Sequence, residues 1–177
     1  MKLAYLFSFL LINLLSSNLF AQTIGVVNIQ FLIDNNKIYI EKLKEIENSQ
    51  NEYLNEFKIK EDELEYLLND IEKSKLILSE NEINFKIDDY NKKLKNFTIL
   101  IEEFNTHYQN QIVNIREIVF KEIIVLLEKY ATLNNIDLIL DSTSYLIASN
   151  SLDITDIINK DLNKIKLVLD YKSFEKN

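Results

Sequence analysis

The longest stretch of the chain has the apolar spacing of a helix that packs against a partner along one stripe. Apolar residues recur at alternating steps of four and three, and this period of 3.5 keeps one face against a neighbouring helix. The stripe consists of Ile83, Ile87, Tyr90, Leu94, Phe97, Ile101, Phe104, Tyr108, Gln111, Ile115 and Ile118. The pattern predicts a helix over about residues 80–134.

A second stripe with the same period predicts an earlier helix, over about residues 36–78. Its first position holds Leu43, Gln50, Phe57, Leu64, Ile71 and Leu78, and its second holds Ile46, Tyr53, Lys60, Leu67 and Ser74. Asp34-Asn35-Asn36 can cap its start.

The segment between the two helices has the form of a capping box, with Ser79 followed three residues later by Glu82. This favours a reversal over the alternative of one continuous, kinked helix, which would be unusually long for a chain of 177 residues. The two helices then form an antiparallel hairpin that reaches roughly 60 Å.

Short apolar segments rich in β-branched residues flank the hairpin and predict strands. Residues 23–30 read TIGVVNIQ, and residues 136–141 and 144–149 read IDLILD and SYLIAS, with a hairpin turn at 141–143. Asp153 is the predicted N-cap of a last helix, which ends near Lys166. The tail after it, residues 167–177, has no clear pattern.

Strands from both ends of the chain must meet, so the arm is an insertion into a small β body. The predicted fold is α+β: residues 22–35 and 119–177 form the body, and residues 36–118 form the helical hairpin arm. Three short strands and one helix bury too little apolar surface to be stable alone. We therefore predict an oligomer whose strands share one core, with Val26, Val27, Leu138, Leu140 and Leu146 in that core.

The first 21 residues have the layout of a secretory signal peptide. Lys2 precedes an apolar run, and Ala21 is a plausible cleavage position, with Leu19 where a small residue is usual. The alternative is an uncleaved anchor, but the run is short for a span. We expect cleavage, export and no stable membrane anchor.

Composition removes several classes of function. The chain has one Gly, no Pro, no Cys, one His and a net charge of −8, which excludes glycine-rich phosphate loops, thiol nucleophiles and multi-histidine metal sites. The acidic balance argues against nucleic acid as a partner. His107 is interpreted as an edge residue, and the acidic runs 61–63 and 88–89 as solvated faces. We expect no enzymatic activity, cofactor or metal.

The sequence resembles the Skp/OmpH family of periplasmic chaperones. The resemblance rests on Gly25-Val26-Val27-Asn28, on the charged helical insertion, and on the segments at residues 137–141, 145–148 and 152–156. It implies a homotrimer whose strands form a central barrel and whose hairpins enclose a cavity. In that cavity unfolded outer-membrane β-barrel proteins are held without ATP. The familiar enteric members are basic and this chain is acidic. The resemblance therefore does not imply contacts of this chain with lipopolysaccharide or anionic membranes.

Apolar residues off the stripe are the candidates for contact with such clients. They are Ile59, Tyr66, Phe85 and Ile99, of which Ile59 and Ile99 are predicted to lie at the same height on the arm. The alternative is that they are scattered surface residues. A second hypothesis for the whole chain is a structural coiled-coil scaffold of the cell envelope, with fixed, folded partners.

Overall fold

The computed structural model describes residues 22–175 and places a long helical hairpin on a small body. The body opens with strand β1 (Ile24–Val27) and the short helix α1 (Ile29–Asp34). The hairpin consists of α2 (Lys37–Ser74) and α3 (Glu80–Asn134). Strand β2 (Leu138–Asp141), two single-turn 3-10 helices (Ser142–Ser144 and Asn150–Leu152) and helix α4 (Thr155–Leu162) complete the order.

The hairpin confirms the predicted reversal, and side-chain caps define its helix starts. Asn36 Oδ1 accepts the Tyr39 N–H at 2.9 Å and caps α2. At the start of α3, Glu82 accepts the Ser79 N–H at 2.9 Å within a capping box. Helix α2 ends four residues before the predicted position because the chain turns at 75–78, where the Leu78 N–H donates to the Ser74 carbonyl.

The seam of the hairpin follows the predicted stripes over most of its length. Ser49 Oγ lies 2.7 Å from Tyr108 Oη, and Asp70 pairs with Lys86 nearer the tip. The stripe residues buried along this seam are Ile46, Phe57, Leu64, Ile71, Phe97, Phe104, Tyr108 and Ile115. Leu94 and Ile118 are more exposed than the pattern predicts.

Beyond Ile115 the buried stripe of α3 changes to steps of four, through Val119, Ile123 and Leu127. Here α3 packs against α1 and α4 instead of continuing the two-helix seam. A straight helix that buries one side against several neighbours does not need the coiled-coil period. The lower part of α3 therefore belongs to the core of the body.

The sheet of the body has two parallel strands. Ile24 lies opposite Leu138 and Val27 opposite Asp141, and the whole hairpin forms the crossover between the two strands. Val26 also makes an isolated bridge to Asp153. The strands predicted near both ends of the hairpin therefore meet.

Two strand predictions need correction. The strand predicted over residues 23–30 ends at Val27 because Asn28 Oδ1 accepts the Phe31 N–H at 2.8 Å and starts α1. The hairpin strand predicted over 144–149 does not form. Asp141 accepts the Thr143 N–H and hydroxyl and closes a 3-10 turn, after which the chain is irregular.

The last helix also differs at both ends. Ile154, rather than Asp153, is at the N-cap position, although Asp153 Oδ1 still accepts the Thr155 N–H at 2.8 Å. The helix ends at Leu162, before the predicted Lys166. Its buried side, Ile158 and Leu162, packs into the body core.

The predicted signal peptide, residues 1–21, lies outside the described residues. Within residues 22–175, no helix combines the length and the apolarity that crossing a bilayer requires.

Candidate functional site

The four off-stripe residues are all exposed on the arm. The exposed fractions are 60% for Ile59, 71% for Tyr66, 76% for Phe85 and 41% for Ile99. Ile59 and Tyr66 are seven residues apart on α2, so they lie on one face of that helix, two turns from each other. Phe85 lies much closer to the tip than Ile99 on α3.

Three of these residues surround one region of the hairpin. Ile59 and Tyr66 line a depression of about 440 Å³, and Ile99 lines a neighbouring one of about 510 Å³. Both depressions share Glu63, Leu67 and Lys93. We call the surface formed by these six residues the arm groove. Phe85 lines neither depression, so the structure does not bring it together with the other three.

The arm groove is apolar at its floor and charged at its rim. Leu67 belongs to its floor, and Leu64 and Leu100 line the adjoining depression of about 510 Å³. Lys93 pairs with Asp89 at 3.1 Å, and beside the groove a hydrogen bond to Asp62 raises the pKa of Lys58. Paired charges at a rim add little affinity but keep the surface soluble. The arrangement offers an apolar surface on which apolar side chains can pack.

The tip of the hairpin carries an apolar surface that the stripe analysis missed. Leu76 and Ile77 are almost fully exposed in the turn between α2 and α3. The signal was present in the sequence, since Leu76-Ile77-Leu78 is an apolar triplet immediately before the capping box. Exposed apolar groups of this size mark interaction surfaces more often than exposed single residues do.

The five predicted residues of the shared core divide into two groups. Val26 and Val27 are buried within the single chain. Leu140 is half-buried, Leu138 is exposed and Leu146 is completely exposed. Leu138 and Leu146 are therefore apolar groups of the body that one copy of the chain leaves in contact with solvent.

The tail forms a further feature that sequence reasoning missed. It runs along the lower part of the hairpin and buries Leu167, Leu169 and Phe174. The alternation of Leu167, Leu169 and Tyr171 is the period of an extended segment with one buried side, and this signal could have revealed it. Near the end of the tail, the ring of Phe174 packs among the aromatic rings of the seam.

Among residues 22–175, no cluster of His, Cys, Asp or Glu has the arrangement of a metal site. His107 is half-buried, and its Nε2 lies 2.7 Å from the Lys172 carbonyl oxygen, to which it donates a hydrogen bond. Its partner is therefore the backbone of the tail.

Comparison with known proteins identifies the family. A family model described as "Outer membrane protein (OmpH-like)" matches residues 23–162. The fold is similar to the crystal structure of a candidate OmpH-like outer membrane chaperone from Caulobacter crescentus CB15. The TM-score is 0.67 at 14% sequence identity, over 87% of this chain and 92% of that one. Curated proteins give no match. Because the family model covers well over half of the sequence, the chain belongs to the Skp/OmpH family.

Proposed function

We propose that the protein is an ATP-independent chaperone of the periplasm. It encloses unfolded outer-membrane β-barrel proteins between helical arms and prevents their aggregation before membrane insertion. The observation that carries this proposal is the arm groove, an exposed apolar surface on a stiff hairpin that projects from the body. Family membership and the chaperone description of the Caulobacter protein support it.

The physical basis of the holding activity is exclusion of other unfolded chains. Unfolded β-barrel proteins aggregate through apolar segments and unpaired strand edges. Many weak contacts with arm grooves, combined with enclosure, would separate one client from the next. Because apolar contact is non-directional, the arms can accept many sequences.

The cavity requires several arms, and the proposed assembly is a homotrimer. The body residues 22–35 and 119–177 would join the copies, and residues 36–118 would form each arm. Exposed Leu138 on the sheet and exposed Leu146 in the irregular segment after it support this division, because apolar groups of a small body are suited to burial against another copy. The mass of the intact assembly tests it.

The decisive experiment is suppression of aggregation in the absence of ATP. The chain from residue 22 to residue 177 is mixed with a urea-unfolded outer-membrane β-barrel protein as the urea is diluted, and light scattering is recorded. We expect scattering to fall to baseline at a small molar excess. Unchanged scattering would reject the chaperone function.

A matched set of variants tests the role of the arm groove. Ile59, Tyr66 and Ile99 are replaced together by serine, and the control replaces the exposed residues Val125 and Leu133 at the base of α3. We expect the groove variant to bind the client at least tenfold more weakly, and the control to match the wild type. Equal activity of both variants would exclude the groove. Capture of one folded partner without suppression of aggregation would support a scaffold role.

A further inference from the structure

The last described part of the tail, residues 172–174, is hydrogen-bonded to the hairpin through its backbone. The Lys172 N–H donates to Gln111 Oε1 at 3.1 Å, and the Lys172 carbonyl accepts from His107 Nε2 at 2.7 Å. The Phe174 N–H donates to Tyr108 Oη at 3.3 Å, and the Phe174 carbonyl accepts from the Tyr53 hydroxyl. Four backbone groups of one short extended segment are thus satisfied by side chains of α2 and α3.

One side chain of this segment enters a pocket of aromatic rings. The centroid of the Phe174 ring lies 5.5 Å from that of Phe104 and 5.6 Å from those of Tyr53 and His107, all in edge-to-face contact. Burial raises the pKa of Tyr53, which keeps its hydroxyl protonated as a donor. Phe174 is buried, whereas its neighbours Lys172, Ser173 and Glu175 are exposed.

These contacts define which ligands the surface can recognise. It provides donors and acceptors for any extended backbone and a pocket for one aromatic ring, and it leaves most of the other side chains of the segment in solvent. This is the chemistry of strand-like peptide recognition, in which main-chain hydrogen bonds give affinity and pockets give specificity. The tail also lies beyond residue 162, where the match to the family model ends.

We infer that this surface, formed by Tyr53, Phe104, His107, Tyr108 and Gln111, is a binding site for an extended peptide segment that presents an aromatic side chain. The tail residues 172–175 occupy it within the chain and are displaced when such a segment binds. Leu167 and Leu169 keep the rest of the tail attached to the hairpin. The inference deepens the proposed function, since an unfolded client would supply the segment.

The first test is the change Phe174→Ser in the full mature chain, which removes the aromatic ring of the tail from the site. The probe is a fluorescein-labelled peptide of serine and threonine with one central phenylalanine, and the matched peptide has serine at that position. We expect the variant to bind the phenylalanine peptide roughly tenfold more tightly than the wild type. The reason is that the ring of Phe174 no longer competes with the peptide's ring for the pocket. The control Val168→Ser, at an exposed tail position, should bind like the wild type.

A second measurement does not depend on the folding of that variant. The chain has no cysteine, so Glu175→Cys provides a single attachment point for an environment-sensitive dye on an otherwise unchanged tail. Saturating phenylalanine peptide should shift the dye signal to that of a tail detached from the hairpin, and the serine peptide should not. In the Phe174→Ser chain, where the tail no longer competes for the ring pocket, the added change Tyr108→Phe removes one acceptor of the peptide backbone and should weaken peptide binding by about threefold to tenfold.

The outcomes separate this inference from the proposed function. A helical Phe174→Ser variant that binds the peptide no better than the wild type, together with a dye signal that peptide does not change, would overturn the peptide site. Both readouts are independent of aggregation suppression. The protein could therefore suppress aggregation while its tail stays bound to the hairpin. Conversely, the peptide site could exist in a protein that does not suppress aggregation.

Discussion

The change Phe104→Ala tests whether the arm is held together by its aromatic seam. Phe104 lies in the middle of that seam, buried between α2, α3 and the tail. Its ring contacts four others, with centroid distances of 4.9 Å to Phe57, 5.0 Å to Tyr108, and 5.5 Å to Tyr53 and Phe174. Alanine removes all of these contacts and leaves a cavity that the stiff helices close only in part.

The expected loss follows from burial and ring contacts. Truncation of a buried phenylalanine to alanine costs about 3–5 kcal/mol. Aromatic pairs contribute about 0.5–1.5 kcal/mol beyond burial, and the contributions of rings in mutual contact do not simply add. We therefore expect a decrease of about 4–5 kcal/mol in the free energy of unfolding. For a chain of this size that corresponds to a decrease in Tm of about 8–20 °C.

The assay is thermal unfolding followed by circular dichroism at 222 nm. Wild type and variants are compared at one protein concentration, because association changes the apparent stability of an oligomer. Phe85→Ala is the matched control: the same change on the same helix, at a residue in contact with solvent, with an expected cost within about 0.5 kcal/mol. A Tm for Phe104→Ala equal to that of the control would refute the aromatic seam as the core of the arm.

Three further changes test the start of the arm, the assembly and the body. Asn36→Ala should cost about 1 kcal/mol through loss of the α2 cap. Asn36→Ser should cost less, since serine keeps an acceptor and removes an Nδ2 that has no hydrogen-bond partner among residues 22–175. Equal free energies of unfolding for the two variants in urea would contradict the cap. Leu138→Asp should reduce the sedimentation mass to that of one chain, with Leu133→Asp as the control, and an unchanged mass would exclude β2 from the interface. Burial raises the pKa of Asp141, but hydrogen bonds from Thr143 and from the Ile29 N–H outweigh burial and hold the pKa below 3.8. Its contribution to stability is therefore present above about pH 4 and lost as the pH falls through the lowered pKa. The stability difference between wild type and Asp141→Asn should shrink from pH 7 to pH 3 in urea unfolding, and a constant difference would argue against the carboxylate.

The arm was predictable because its structure depends on a period that the sequence repeats many times. The bounds of α3, Glu80–Asn134, agree with the prediction of 80–134, and the capping box located the reversal. Ile59 and Ile99, which the antiparallel register predicts at one height, line neighbouring depressions. Phe85 was grouped with them only because it is apolar and off the stripe, and it lies nearer the tip, outside both depressions.

The body was less predictable because local preferences compete there with contacts between distant segments. The segment at 144–149 is apolar and β-branched in part, yet the turn closed by Asp141 directs the chain away, and Val26 bridges to Asp153 instead. The tail was missed because its local pattern is weak. Its alternation of Leu167, Leu169 and Tyr171 is short, so the signal is weak without the surface of α2 and α3 on which the tail packs.

The parallel pairing of β1 and β2 also sets the order in which the molecule can fold. The Thr23 N–H donates to the Asp137 carboxylate at 2.8 Å across 114 positions of the chain. Helices and adjacent hairpins form within microseconds, whereas pairings over such separations are slow. Once α2 and α3 have paired, their free ends lie side by side, and little loop-closure entropy remains to oppose the strands. During refolding the arm should therefore form before the sheet.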